Sequence, residues 1–147
     1  PNDVLVSGKK IAGILLESAA APGGHLDWVA VGIGVNLKRH PDDTPYPATS
    51  IAAEGGEAPA PEAALVALGD AWDAWFARWA AHGFAPIRSA WLDRAKGRGE
   101  RLTVRLPNES FDGVFEDLDD TGALVLRLDT GLTRKVSAGE VFFASAP

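Results

Sequence analysis

The chain has 147 residues, a formal net charge of −6 and 46% hydrophobic residues. That size admits one or two domains with a real core, and a charged fraction of 23% excludes wholesale disorder. Absence of Cys excludes disulfides, thiolate zinc sites, iron–sulfur clusters and a Cys nucleophile, and the acidic balance argues against a general nucleic-acid binder. Val4, Leu5 and Val6 read as a short apolar strand, and Ser7-Gly8 as a tight turn. Residues 10–17 read as a second strand, whose nearly continuous apolar run predicts burial on both faces. Pro22-Gly23-Gly24 marks a loop of small residues. Residues 26–37 form a third predicted strand, with Gly32 and Gly34 inside it. Glycine weakens a strand and often marks a bulge or the close approach of a ligand. Pro41, Pro45 and Pro47 make residues 40–50 a loop.

The pattern then turns helical. Over residues 62–82, Leu65, Leu68, Trp72, Trp75, Phe76 and Trp79 recur at spacings of three and four. They share one face, expected to pack as core against the sheet rather than to serve as a ligand platform, since no cation is interleaved. Pro61 suits the first turn, and Gly83 suits the C-cap. A second helix is predicted over 86–96, burying Ile87, Ala90, Trp91 and Ala95, and Gly97 and Gly99 break it. From Arg101 the period becomes two: Leu102, Val104 and Leu106 alternate with Thr103 and Arg105. Further strands are predicted over 111–118, 123–128, 132–136 and 141–143, with Asp120-Thr121-Gly122 as a tight turn. Five short strands with turns between them predict a small barrel. The domain boundary is placed at 97/98, giving domains 1–97 and 98–147. The acidic run Glu116-Asp117-Leu118-Asp119-Asp120 reads as a solvated turn. No apolar run reaches the ~20 residues that span a bilayer, and the first residues, without a basic region and apolar core, are not expected to act as a secretory signal. Met is absent even at position 1, so the sequence is expected to open inside a longer reading frame or after processing.

Common motifs are rejected. Gly32-Ile33-Gly34 lies inside a strand, and Leu37 stands where a dinucleotide loop needs its third glycine. Gly8-Lys9-Lys10 lacks the Ser or Thr of a P-loop. His25, His40 and His82 are too scattered for a metal site, and the first two are expected to be solvent-exposed loop residues. Three polar features remain beside apolar strands: Asn2-Asp3, Lys10 and Asn36. Singly, each has a plain role as strand-entry turn, solvated strand end or turn residue. Together they describe a pocket at one end of a sheet, with amides, a carboxylate, a cation and glycines that let a ligand touch backbone.

At these residues a resemblance emerges. Pro1-Asn2-Asp3, then Lys10-Ile11-Ala12-Gly13-Ile14-Leu15, then Gly32-Ile33-Gly34-Val35-Asn36 resemble, in order and spacing, the P-N-D, K-x-A-G-I-L and G-x-G-x-N blocks of the biotin protein ligase family. The tail from Arg101, with Gly122-Ala123-Leu124 and Gly139-Glu140-Val141, resembles that family's SH3-like C-terminal domain. The resemblance implies an α+β fold. Part of a mixed β-sheet with packed helices, like that of class II aminoacyl-tRNA synthetases, would be followed by a small SH3-like β-barrel. It also exposes what the sequence lacks: the Lys-Trp before the first block, an Arg/Gly-rich loop that folds over biotin and the activated phosphate, and a Ser-Thr segment at the biotin head. The chain thus looks like the C-terminal portion of the catalytic domain plus the C-terminal domain, and by itself is expected to be inactive.

The implied reaction joins biotin and ATP into biotinyl-5′-adenylate and pyrophosphate, then transfers biotin to a lysine of a biotin carboxyl carrier protein. The first step brings two anions together and needs a cation; the resemblance assigns Lys10. The second needs a neutral amine from a group whose pKa is roughly 10.4, and Asp3 matches the position that would accept its proton or align it. Asn2 would brace the site, Asn36 would read adenine, and Gly13, Gly32 and Gly34 would let backbone approach the adenylate. Residues 38–50 match the loop that covers adenine. Mg²⁺ is expected with ATP, with no ligand assigned and no protein metal site. The resemblance further implies a cytoplasmic enzyme with no membrane or nucleic-acid partner in this portion, and is compatible with a homodimer. Two other readings stand beside it: a non-catalytic module of this fold that docks a carrier or subunit, and the related lipoate-attachment chemistry. The block order and the C-terminal tail disfavour the latter.

Overall fold

The computed structural model describes residues 2–23, 25–137 and 139–143. Pro1 of the first block and Gly24 of the glycine loop lie outside the described residues. The chain divides into two compact units, Pro1–Leu68 and Gly69–Pro147.

The first unit is built on an antiparallel meander of β1 (Asp3–Val6), β2 (Lys9–Ala20) and β3 (Leu26–Val35). The β1–β2 connection is two residues long, with Ser7 at φ 51° and Gly8 at φ 78°. Positive φ at both positions matches the right-handed twist of the strands it joins. Lys10 also makes a parallel bridge to Ala48 in the proline-rich loop, so pairing around β2 is mixed. The predicted two-sided burial of β2 is not found. Ala12 is its buried residue, whereas Leu15 and Leu16 are 64% and 65% exposed. The apolar run fits a strand covered on both faces, and the described residues cover neither face there.

Helix α1 (Pro61–His82) begins at Pro61, where a missing N–H costs nothing, and ends where Gly83 takes φ 68° and donates its N–H to the Trp79 carbonyl at 2.7 Å. The division between the units falls within this helix. The predicted core face is not buried: α1 has no buried residue, and Trp72, Trp75, Phe76 and Trp79 are all exposed. Helical spacing reports that residues share a face, not that something lies on it. A cation does accompany the stripe, against expectation: the Arg78 guanidinium lies 4.8 Å from the centroid of the Trp75 ring. Phe76 and Trp79 meet edge to face at 5.8 Å.

The second unit continues with α2 (Ala85–Leu92), which ends four residues before the predicted Lys96. Arg94 and Ala95 bond back to the carbonyls of Trp91 and Leu92, three residues earlier, so the last turn tightens and stops. Then come β4 (Arg101–Leu106), β5 (Glu109–Leu118), β6 (Leu124–Arg127), β7 (Thr133–Val136) and β8 (Glu140–Phe143), all antiparallel, in the order β7-β6-β5-β4-β8. Among the described residues the hydrogen bonding leaves β7 and β8 at the two edges, so the SH3-like sheet is not ring-closed. Leu92, Leu102, Val104, Phe115, Leu126 and Val136 form its core. Gly97 is a close-approach glycine: a Cβ there would run into the Phe143 ring. The acidic run is not simply solvated. Glu116 pairs with Arg127, Asp117 with Arg88, and Asp119 with Lys135. Asp119 also accepts from the N–H of Thr121 and of Ala123, which ties the tight turn. Its carboxyl is held far below the usual range, first by the Lys135 ammonium and then by Thr121.

Candidate active site

Cross-strand partners in an antiparallel sheet share a face. Asp3 lies opposite Gly13, and Gly13 lies opposite Gly34, so the three form one row across the first sheet. Gly32 lies opposite Leu15, on the same face. Simple alternation along β2 would place Lys10 on the other face from Gly13. A β-bulge reverses this: Val4 pairs with Ala12 but Leu5 pairs with Lys10, leaving Ile11 as the extra residue. Lys10 therefore shares its face with Leu5 and Asp3. Its Nζ lies 2.5 Å from Oδ1 of Asp3, and a Cβ on Gly13 would stand 3.1 Å from its Cε.

These residues line an open cavity of about 430 Å³ formed by Asn2, Lys10, Gly13, Ile14, Leu15, Gly32, Ile33 and Gly34. Asn2 is held on both sides of Ile14: its side-chain amide donates to the Ile14 carbonyl at 3.2 Å, and its carbonyl accepts the Ile14 N–H at 2.8 Å. The side chains of Lys10 and Asp3 are 42% and 41% exposed. An ion pair that open contributes about 0–1 kcal/mol to stability. It does little to hold the fold, and it leaves both groups within reach of a ligand.

Of the residues singled out from the sequence, Lys10, Asn2, Gly13, Gly32 and Gly34 line the cavity, and Asp3 stands at its edge against Lys10. Asn36 is placed differently. Its side-chain amide donates to the carbonyls of Thr49, at 2.9 Å, and Lys10, at 3.5 Å, and it is not among the lining residues. In this arrangement Asn36 braces the 47–51 segment against β2. Among the described residues no group of three or more His, Asp and Glu side chains is arranged to hold a metal.

The sequence reasoning missed the partner of that brace. The Lys10 N–H donates to the Pro47 carbonyl at 2.8 Å, and the Lys10 carbonyl accepts the Thr49 N–H at 2.9 Å. Thr49 and Ser50 are the buried polar residues of the unit, at 1% and 0% exposure. His40, expected to be solvent-exposed, is half-buried and bonds the Ser50 hydroxyl at 3.3 Å. Ser50 Oγ also accepts the Ala53 N–H at 3.2 Å. The available signal was the pair of adjacent hydroxyl residues closing a proline-rich loop, since short hydroxyl side chains satisfy turn backbone.

The chain compares closely with known proteins. Residues 98–144 match the family profile described as the biotin protein ligase C terminal domain. The biotin--[acetyl-CoA-carboxylase] ligase of Paracoccus denitrificans is 46% identical over 148 residues, which cover 97% of this chain and 61% of that protein. An apo biotin protein ligase from Aquifex aeolicus superposes with a TM-score of 0.80 at 18% identity, over 98% of this chain and 63% of that one. The same organism's ligase in complex with biotin and ATP gives a TM-score of 0.77 at 20% identity, over 99% of this chain and 60% of that one. The chain thus spans about three fifths of the length of these relatives. An α+β fold with an SH3-like second sheet, 46% identity to a named ligase and a match to the ligase C-terminal domain converge: the chain is similar to biotin protein ligases along nearly its whole length.

Proposed function

We propose that this chain carries part of the active site of an ATP-dependent biotin ligase. The enzyme activates biotin to biotinyl-5′-adenylate, releases pyrophosphate, and transfers biotin to a lysine of a biotin carboxyl carrier protein. The carrying observation is the bulge that turns Lys10 onto the face of Gly13, Gly32 and Gly34, where its ammonium enters an open cavity beside the Asp3 carboxylate.

The biotin carboxylate attacks the α-phosphorus of ATP, and pyrophosphate leaves. Lys10 offsets the repulsion between the two anions and stabilises the charge that develops on the phosphate oxygens. The glycines present backbone rather than side chains, so the adenylate can lie against the sheet. In the second step the carrier amine attacks the carbonyl of the mixed anhydride and AMP leaves; Asp3 accepts the proton that the amine loses. Asn2 keeps Ile14 and the end of β1 in register beneath the ligand. Mg²⁺ enters the proposal as the ion that accompanies ATP phosphates, with no side chain assigned to it. Asn36 contributes through the brace its amide nitrogen makes, and its amide oxygen is an acceptor of the kind that an adenine amino group needs. The ligase named from Aquifex aeolicus in complex with biotin and ATP supports this choice of substrates. We place the enzyme in the cytoplasm with its carrier; no described helix is long and apolar enough to cross a membrane. We also propose the division at 97/98 as the functional domain boundary, with the SH3-like sheet as the second domain.

The test is biotin-dependent pyrophosphate exchange by the intact protein. Lys10→Ala should slow it by a factor matching the loss of a charge-assisted contact, about 1.5–3 kcal/mol, with the melting temperature unchanged. An unchanged exchange rate removes Lys10 from the site.

A further inference from the structure

A bulge that aims a side chain is useful only if the backbone around it is held. Lys10 is held by a closed ring of contacts. Its neighbour Lys9 extends its Nζ to Oε1 of Glu54 at 2.9 Å. The same Oε1 accepts the Thr49 hydroxyl at 2.6 Å. Thr49 in turn donates its N–H to the Lys10 carbonyl at 2.9 Å. Glu54 is itself anchored, because its N–H donates to the Ser50 carbonyl at 3.1 Å. The ring therefore runs Lys9, Glu54, Thr49, Lys10, and Glu54 is the one acceptor in it that joins the side chains of both strands of the bridge.

We infer that Glu54 is a positioning residue for Lys10: by holding Lys9 and Thr49 together, it locks residues 47–49 against the bulge and fixes the direction in which the Lys10 ammonium points. This rests on the ligase reading of Lys10. Glu54 does not line the cavity and touches no reacting atom. Its carboxyl is held below the usual carboxylate range, first by the Lys9 ammonium and then by the Thr49 hydroxyl, so it is ionised at neutral pH. An ionised acceptor makes the stronger bonds that such a lock needs.

Two measurements on the intact protein test this. The first is amide hydrogen exchange, which needs no activity. Glu54→Ala should speed exchange at the Lys10 and Thr49 amides about tenfold, as local opening becomes easier, with Leu126 unchanged. Unchanged protection at Lys10 and Thr49 overturns the proposal. The second is biotin-dependent pyrophosphate exchange in a double-mutant cycle. Glu54→Ala alone should lower kcat about tenfold, the scale of a small misplacement of a reacting group, with little change in KM. In a Lys10→Ala background it should lower it no further, since a residue acting through Lys10 has nothing left to position. Independent, additive losses overturn the proposal. If Lys10→Ala alone is silent, the ligase reading of Lys10 fails, and amide exchange then decides the lock on its own. Should Glu54→Ala fold poorly, Glu54→Gln keeps an acceptor for Thr49 and removes the charge facing Lys9. It should give the same pattern at about threefold, as suits a weakened charge-assisted bond.

Discussion

The two sheets of this chain solve opposite problems. The five-stranded sheet buries its own apolar residues: Leu126 and Val104 have no exposed surface, and Leu102 and Phe115 keep 2%. The three-stranded sheet does the reverse. Its long apolar strand is open on both faces at Leu15 and Leu16, and the best-buried side chains of its unit are the hydroxyl residues Thr49 and Ser50, in the loop bridged to that strand. One is held by area removed from water, the other by directional bonds around a lysine. Packing tolerates small shifts that keep volume, whereas a hydrogen-bonded ring fixes angles. The region that carries the candidate chemistry is the one built from angles.

The largest expected effect breaks the first half of that contrast. Leu126→Ala empties a fully buried position between β5 and β7. It should destabilise the second unit by about 2–5 kcal/mol, the transfer term plus a cavity. The same truncation at Leu15, which is mostly exposed, should change stability by less than about 0.5 kcal/mol. Chemical denaturation of the intact protein, followed separately in the two units, checks both. Equal losses would mean that Leu15 is covered by something beyond the described residues.

The next effect sharpens the second half. Asp3→Asn keeps the shape of the carboxylate but cannot accept a proton. Single-turnover transfer from preformed biotinyl-adenylate to the carrier should slow on the order of a hundredfold, the usual worth of a general base. Adenylate formation should fall far less, because Lys10 keeps its charge after losing its partner. Equal transfer rates in wild type and variant would show that Asp3 is not the base.

The contrast also explains what could be read in advance. Alternation of Leu102 and Val104 with Thr103 and Arg105 names both the strand and its buried face, because a period of two is a property of single residues. The Trp72–Trp79 stripe named the helix correctly but not its surroundings, since periodicity says nothing about a covering partner. Asn2, Asp3, Lys10 and the glycines were legible as a set through their resemblance to ordered family blocks. How they meet was not. The Ile11 bulge has no composition of its own, and without it alternation sends Lys10 to the wrong face. Glu54 was invisible for a related reason: it lies 45 residues from Lys9, and nothing local in Ala53-Glu54-Gly55 announces the pairing.

The smallest expected effect compares the carboxylate that ties each region. Glu54 is lowered by two donors, Lys9 and then Thr49. Asp119 is lowered much further by Lys135, the Thr121 hydroxyl, and the N–H groups of Thr121 and Ala123. Both folded values lie below the unfolded ones. Each contribution to stability is therefore complete above the ordinary carboxylate range, near pH 4, and is lost as pH falls through the folded value. More donors must be given up before Asp119 can take a proton, so acid should release Glu54 first. On titration downward from pH 5, amides of the Thr49 segment should lose protection while Thr121 and Ala123 keep theirs. Release in the opposite order would show that the Lys9 and Thr49 bonds hold Glu54 more firmly than the four donors hold Asp119, and that the polar ring of the first sheet is the more acid-resistant tie.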